Sequence, residues 1–224
     1  PMRKDTWQIG GSSAGNNGLA AAEISGIKTA TGTAHGWETS GAMLRITLTR
    51  GAWIRSIDGA PASETFARLF GHKAIDWTTP PLNALVRLYP FRLRGADGKR
   101  ALIRTPLWIE ADGSLRMNAP IQDGSTVDLM VGSVQGCLHA LDQAAELALA
   151  DMGGTTPNLA LLIADQGWEL LLKAHSINLA EEIRNRLGVD VPVIGAYSYG
   201  QMGSKVTGGD LEYLNQHVQL VLFG

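Results

Sequence analysis

An α+β fold, with layered mixed and antiparallel sheets and flanking helices, is what this 224-residue sequence predicts. Three observations carry the prediction. Segments that alternate apolar and polar residues recur through the first half of the chain, the period of a half-buried strand. Two segments, 136–152 and 168–187, switch to the helical period. The last seventy residues run strand, helix, strand, strand, and a short early string echoes part of that order.

Taken in order, Trp7 to Gly18 reads WQIGGSSAGNNG, a short strand entering a glycine- and serine-rich turn. A strand region is expected over Ala20 to Thr33, then a loop over Ala34 to Gly41 carrying His35, Gly36 and Trp37. Met43 to Thr49 and Ala52 to Ile57 alternate as strands, and Asp58-Gly59 turns the chain. Ala60 to Phe70 has helical spacing, and Pro61 sits near its start, where a missing N–H costs nothing. Leu85 to Leu93 and Leu102 to Glu110 read as strands split by the turn at 95–98. Leu115 to Met117 and Val127 to Val134 follow as strands. Gly136 to Met152 reads as a helix stopped by Gly153-Gly154. Leu159 to Ala164 is a continuous apolar run, expected to be buried on both faces. Trp168 to Leu187 reads as one amphipathic helix with Leu170, Ala174, Ile177, Ile183 and Leu187 inward, ending at Gly188. Val191 to Tyr197 and His217 to Phe223 are strands around a loop at Gly200 to Asp210.

Composition narrows the function. Apolar residues make up 45% and charged residues 18%, a globular balance that excludes disorder. Nineteen basic against 21 acidic side chains give a net charge of −2, so no basic excess exists for phosphate contacts and nucleic acid is not the expected partner. One cysteine, Cys137, allows no internal disulfide and no cysteine-based zinc cage. No run reaches the ~18–20 apolar residues of a membrane span, and the start lacks the apolar stretch of a signal peptide. A cytoplasmic location is the resulting expectation. Glycine is frequent, at 27 residues, which implies tight turns and close backbone approaches.

Residues 9–15, IGGSSAG, and 194–200, IGAYSYG, coincide at four of seven positions at an offset of 185. A duplicated strand-helix-strand-strand unit would explain the match. The first copy would then lack its own leading strand and helix. The chain would be the C-terminal part of something longer, or would take those elements from a second chain.

Candidate site residues follow from the strand ends, where ligands sit in α/β folds. Tyr197, Ser198, Tyr199 and Gln201 end one strand, and alternation places Tyr197 and Tyr199 on one side. Ser12 and Ser13 offer hydroxyls and backbone N–H groups. Gly11-Ser12-Ser13-Ala14-Gly15 matches a nucleophile elbow as a string, with Ser13 as nucleophile, yet Asn16-Asn17-Gly18 breaks the helix that an elbow requires. His35 and Trp37 bring a ring nitrogen and an indole, and Asn215 an amide. Cys137 opens a helix, whose dipole lowers a thiol pKa, or else is buried and inert. No metal ligand set is evident.

Six strings, taken in order, resemble the FIST sensory family of bacterial signalling proteins. The end is the most telling: VIGAYSYGQM at 193–202, then LNQHVQLVLFG at 214–224. GTAHGWETSG at 32–41, SIDGAPASETFARL at 56–69 and LYPFRL at 88–93 sit in the family's order, and GGSSAG at 10–15 resembles the turn that ends the family's N-terminal half. The resemblance implies that residues 1–57 are the end of the family's N-terminal half and 58–224 its C-terminal domain. It implies a small-ligand sensor. Joined to the candidates above, the expectation is a sensor without catalysis of its own, its pocket lying between the two strand-turn copies and lined by the nine residues Ser12, Ser13, His35, Trp37, Tyr197, Ser198, Tyr199, Gln201 and Asn215. A small polar ligand is expected, with a signalling kinase, methyl-accepting protein or cyclic-nucleotide enzyme as partner. The alternatives are a haem-binding nitric-oxide sensor, with His35 and His217 as haem candidates, and a hydrolase-like enzyme using Ser13 or Cys137.

The sequence departs from the family pattern at three turns. Gln201 stands where the family has glutamate, His217 where it has threonine, and ADQGW at 164–168 where it has cysteine-x-x-arginine. A cation paired with that glutamate would lose about 1 kcal/mol or more here, so the ligand is expected to differ.

Overall fold

The structure, a computed structural model, describes residues 7–16, 18–94, 101–204 and 210–224. Strands β1 (Trp7–Gly10) and β2 (Ser13–Asn16) form a hairpin that pairs with no other strand among the described residues. Residues 18–28 run in coil to β3 (Thr29–His35). Gly36 alone separates β3 from the long β4 (Trp37–Arg50), and at this glycine the chain leaves one sheet for another.

The larger sheet is antiparallel and has eight strands. Besides β4 it holds β5 (Trp53–Ile57), β6 (Ala60–Pro61), β7 (Phe91–Arg94), β8 (Ala101–Arg104), β9 (Pro106–Ile109), β10 (Leu115–Met117) and β11 (Thr126–Gly132). Their order is β8-β7-β11-β4-β5-β10-β9, with β6 on β5. Helices α1 (Ala62–Phe70) and α2 (Leu82–Leu85) accompany it, and Phe66, Trp77, Val86, Phe91 and the strand interiors form one core.

The smaller sheet has the order β13-β12-β16-β3, built from β3, β12 (Leu159–Asp165), β13 (Val193–Ser198) and β16 (His217–Phe223). β12 and β13 are parallel, and the other pairs are antiparallel. Helices α3 (Val134–Met152), α4 (Gln166–Lys173) and α5 (Leu179–Leu187) cover one face and close the second core. A short hairpin, β14 (Gln201–Gly203) with β15 (Glu212–Leu214), joins β13 to β16. The mixed α+β class and the final strand therefore stand as predicted.

The approach of β3 to α3 explains part of the glycine content. A Cβ on Gly32 would lie 1.8 Å from the Ala144 carbonyl oxygen, and one on Gly36 would lie 2.4 Å from the Cys137 nitrogen. Only glycine lets the strand and helix backbones come this close.

Several expectations are corrected. Residues 18–28 are exposed coil, because no strand lies beside them to accept ladder bonds; the strand begins at Thr29. The predicted loop at 34–41 lies almost entirely within β3 and β4, drawn into ladders by β16 and β11. Leu82 to Leu88 is helical, and the strand starts only after Pro90. The predicted strand at 102–110 breaks at Thr105 into β8 and β9, the two opposite edges of the larger sheet. The turn expected at 95–98 lies outside the described residues. The single helix over 168–187 is two helices. Ser176 adopts a left-handed conformation (φ 57°), and Asn178 caps α5, accepting from the N–H groups of Ala180 and Glu181. Leu170 and Ala174, expected inward, are exposed as a result. β12 is not buried on both faces: Leu159 is exposed, and Leu161 and Ile163 are half-buried.

The two IG-x-x-S-x-G strings adopt different backbones. Residues 194–198 continue a strand held parallel to β12, whereas 9–15 folds back on itself through Gly11 (φ 58°). Residues 29–57 contribute strands to both sheets.

Candidate ligand site

The parallel register of β12 and β13 sets Asp165 beside Ser198. Val218 pairs with Ala164, and His217 pairs with His35 across β16 and β3. Ser198, Asp165, His217 and His35 thus form a row at the strand ends of the smaller sheet. The Ser198 hydroxyl donates to Gln201 Oε1 at 3.2 Å, and Gln201 Nε2 donates to the His217 carbonyl at 3.3 Å. The rings of His35 and His217 meet edge to face, with centroids 5.0 Å apart. His217 Nδ1 lies 2.6 Å from the Asn215 carbonyl, so it carries the proton there. The Trp37 backbone N–H donates to His35 Nδ1 at 3.4 Å, and the Trp37 ring tilts against Trp168 at 6.1 Å.

Gln216 ties this row to the rest of the molecule. Its carbonyl accepts from Trp168 Nε1 at 2.9 Å, and its own Nε2 donates to the Arg87 carbonyl at 2.9 Å. Its backbone is left-handed (φ 60°), the sort of strained conformation that surrounding contacts must hold in place. Asp165 caps α4 by accepting from the Gly167 N–H at 2.9 Å. Burial pushes its carboxyl above the usual range, against the opposing pull of the Gly167 and Gln216 N–H groups. Asp165, Gln201, Asn215, Gln216, His217 and Trp37 are all buried. The cluster is therefore a polar knot that fixes the strand ends, more than an open basin. Tyr199 lies at its rim, its ring 5.8 Å from the Arg87 guanidinium and its carbonyl accepting from the Tyr213 hydroxyl.

Tyr197 does not join that knot. Strand alternation turns it to the helix side, away from Ser198. There it lines a cavity of about 180 Å³ whose floor is Leu162, Ala164, Val193 and Gly195 and whose other wall is Asn178, Leu179 and Ala180 at the start of α5. An adjoining shallow depression of about 460 Å³ adds Glu169, Lys173 and Ser176 and shares Asn178 and Tyr197. Burial, and then the Glu169 carboxylate, push the Tyr197 phenol up, so it stays a neutral hydrogen-bonding group at neutral pH.

The structure thus divides the nine candidates. His35, Trp37, Ser198, Gln201 and Asn215 come together, with Tyr199 on their rim. Tyr197 opens a different cavity. Ser12 and Ser13 stand on the β1–β2 hairpin, where Ser13 lines a depression formed with Gln8, Gly10 and residues 18–20. No cavity described brings Ser13 to Tyr197. Ser13 begins a strand, so the strand-turn-helix of a nucleophile elbow is not formed around it. Cys137 is fully buried, and burial pushes its thiol up to about 12, the opposite of an activated nucleophile. The edge-to-face contact of His35 and His217 leaves no slot for a macrocycle between them, so the pair does not fit a haem sandwiched by two histidines. Among the described residues, no group of three or more His, Cys, Asp or Glu side chains could hold a metal ion.

Asp165, Asn178, Glu169 and Lys173 were not among the sequence-based candidates. Asp165 ends a strand directly before a helix, and Asn178 stands three residues before Glu181, both readable cap signals. Glu169 and Lys173 have no sequence signal apart from the fold.

Residues 62–204 match the family model for the FIST C domain. The chain belongs to the FIST C domain family. It carries a sensory domain of signal transduction. No curated protein and no solved structure matches it. The FIST C match runs from α1 to just past β14, so it includes the Tyr197 cavity, Asp165, Ser198 and Gln201. No helix of the described residues is long and apolar enough to cross a membrane.

Proposed function

We propose that the chain is a small-ligand-binding module of bacterial signal transduction, without catalysis of its own, whose ligand occupies the cavity beside Tyr197. The single observation that carries this reading is the cavity itself: an apolar floor between β12, β13 and α5, opening onto a polar mouth. At about 180 Å³ it is below the ~300–1,000 Å³ of sites for drug-sized molecules, which suits a metabolite of a few heavy atoms. The mouth offers one carboxylate, Glu169, one ammonium, Lys173, and neutral donors and acceptors in Tyr197, Ser176 and Asn178. That balance favours a neutral or zwitterionic polar ligand with a small apolar body over a strongly charged one.

The cavity wall is the joint between α4 and α5, which gives binding a way to be read. A ligand that contacts β13 and Asn178 together favours one setting of this joint over others. A kinase, methyl-accepting protein or cyclic-nucleotide enzyme sensing the outer face of α4 and α5 would respond to that shift. In this reading residues 58–224 act as the ligand-binding domain, and 1–57 as the end of the preceding half.

Thermal shift against a panel of small polar metabolites tests the proposal. A ligand at a hundred times its Kd adds about 2.7 kcal/mol, a rise in Tm of roughly 5–10 °C for a chain of this size. The reading predicts such a rise for at least one compound and its loss in Tyr197→Ala. A panel without effect would count against it.

A further inference from the structure

One row of side chains crosses four strands of the larger sheet. Arg50 of β4 pairs with Trp53 of β5, Trp53 with Arg116 of β10, and Arg116 with Trp108 of β9. Directly opposed residues of antiparallel strands share a face. Their chain neighbours Ile54, Leu115 and Ile109 lie in the core, so the row stands on the opposite face. There Arg50 is exposed, and Trp53, Arg116 and Trp108 are half-buried.

The guanidinium of Arg116 sits between two indoles, 4.7 Å from the Trp53 ring centroid and 5.0 Å from that of Trp108. These contacts hold the charge in place and use none of its five N–H donors in hydrogen bonds. Among the described residues, neither Arg116 nor Arg50 makes a hydrogen bond or an ion pair. The acids beside them are engaged elsewhere. Glu110 accepts from Trp53 Nε1 at 3.2 Å, and Asp112 pairs with Arg55 at 2.5 Å. The row thus presents two cations whose donors have no protein acceptor.

We propose that this row is a docking surface for an acidic segment of a protein partner, whose carboxylates meet Arg116 and Arg50. Charge complementarity is the first reason. The second is the openness of the face: the row lines none of the cavities described above. A small anion held there stays in water, where an exposed ion pair contributes little. A chain laid across the strands excludes that water, and a paired guanidinium–carboxylate contact then gains both strength and direction. Trp and Arg are also the residues over-represented where protein interfaces concentrate their affinity. Arg50 and Arg116 are two strands apart, about 10 Å, so two carboxylates at that separation engage both. Nucleic acid fits less well. Arg116 already covers a face of each indole that base stacking would need, and the net charge of the chain is −2. The surface is independent of the Tyr197 cavity, which belongs to the smaller sheet.

Fluorescence anisotropy of a labelled oligoglutamate peptide titrated with the full chain tests this, with circular dichroism as the control for folding. Binding is expected with a Kd below about 100 μM at low salt, weakening as salt is raised. Arg116→Gln is expected to weaken it about tenfold. Arg116→Lys keeps the charge and the packing stem but loses the planar fork, and is expected to weaken it several-fold. Arg50→Ala, at an exposed position, is expected to weaken it about threefold. Absence of binding up to about 1 mM would overturn the proposal, as would an affinity that both Arg116 variants leave unchanged. Tighter binding of an oligonucleotide or of anionic-lipid vesicles, lost in the same variants, would overturn the choice of partner.

Discussion

Asp165 ends β12, caps α4 and sits buried beside Ser198 and Gln216, so its ionisation bears on stability. Its folded pKa is raised by burial above the unfolded value of about 3.9. Between those two values the native state holds a proton that the unfolded state has released. Stability therefore falls as pH rises through that window, and below it the two states titrate alike. Asp165→Asn keeps a cap oxygen and removes the titration; urea unfolding from acid to neutral pH is expected to show a flatter profile for this variant than for the wild type. Asp165→Ala loses the cap as well and is expected to cost about 1 kcal/mol beyond Asp165→Asn. Cys137 is the second residue-scale prediction. With its thiol buried and pushed up to about 12, it should stay unlabelled by a thiol reagent at pH 8 until denaturant is added. Fast labelling of the folded chain would contradict its burial. At this scale the sequence could name Ser198, Gln201 and Asn215, because they follow strand ends. It placed Tyr197 with Tyr199, yet β13 ends at Ser198, so Tyr199 leaves the alternation and turns to Arg87.

Between elements, the contact of β3 with α3 depends on missing side chains. Gly32→Ala forces a Cβ to within 1.8 Å of a helix carbonyl, so strand or helix must move; the expected cost is about 1–3 kcal/mol by denaturant unfolding. Gly15→Ala, with nothing within 4 Å of the new Cβ, is the control and should leave stability unchanged. The joint between α4 and α5 makes a similar demand. Asn178→Ala removes the acceptor of two N–H groups and should destabilise by about 1 kcal/mol while opening the mouth of the Tyr197 cavity. Regular elements were legible where period and length agreed, as in α3 and β16. The errors came where partners decide. Residues 34–41 are polar and glycine-containing, but two long neighbours pull them into ladders. Residues 20–28 look extended, but nothing lies beside them.

On the scale of the whole chain, two sheets meet at Gly36 and at the Gln216 clasp, and the Tyr197 cavity lies on the helix side of the smaller sheet. This layout was only partly legible. The C-terminal strand order was open to reading, since strand, helix and strand in sequence imply a parallel pair. The separation of Ser13 from Tyr197 was not, because similar strings of residues carry no information about the strands that flank them. The central claim is that a small ligand binds between β13 and the start of α5. The measurement that tests it most directly is the amide NMR spectrum of the labelled chain titrated with the compound that most raises the Tm. The account predicts shifts concentrated at 178–180 and 193–197, abolished in Tyr197→Ala. Shifts confined to the β1–β2 hairpin or to the His35–His217 row, with 193–197 unmoved, would contradict it.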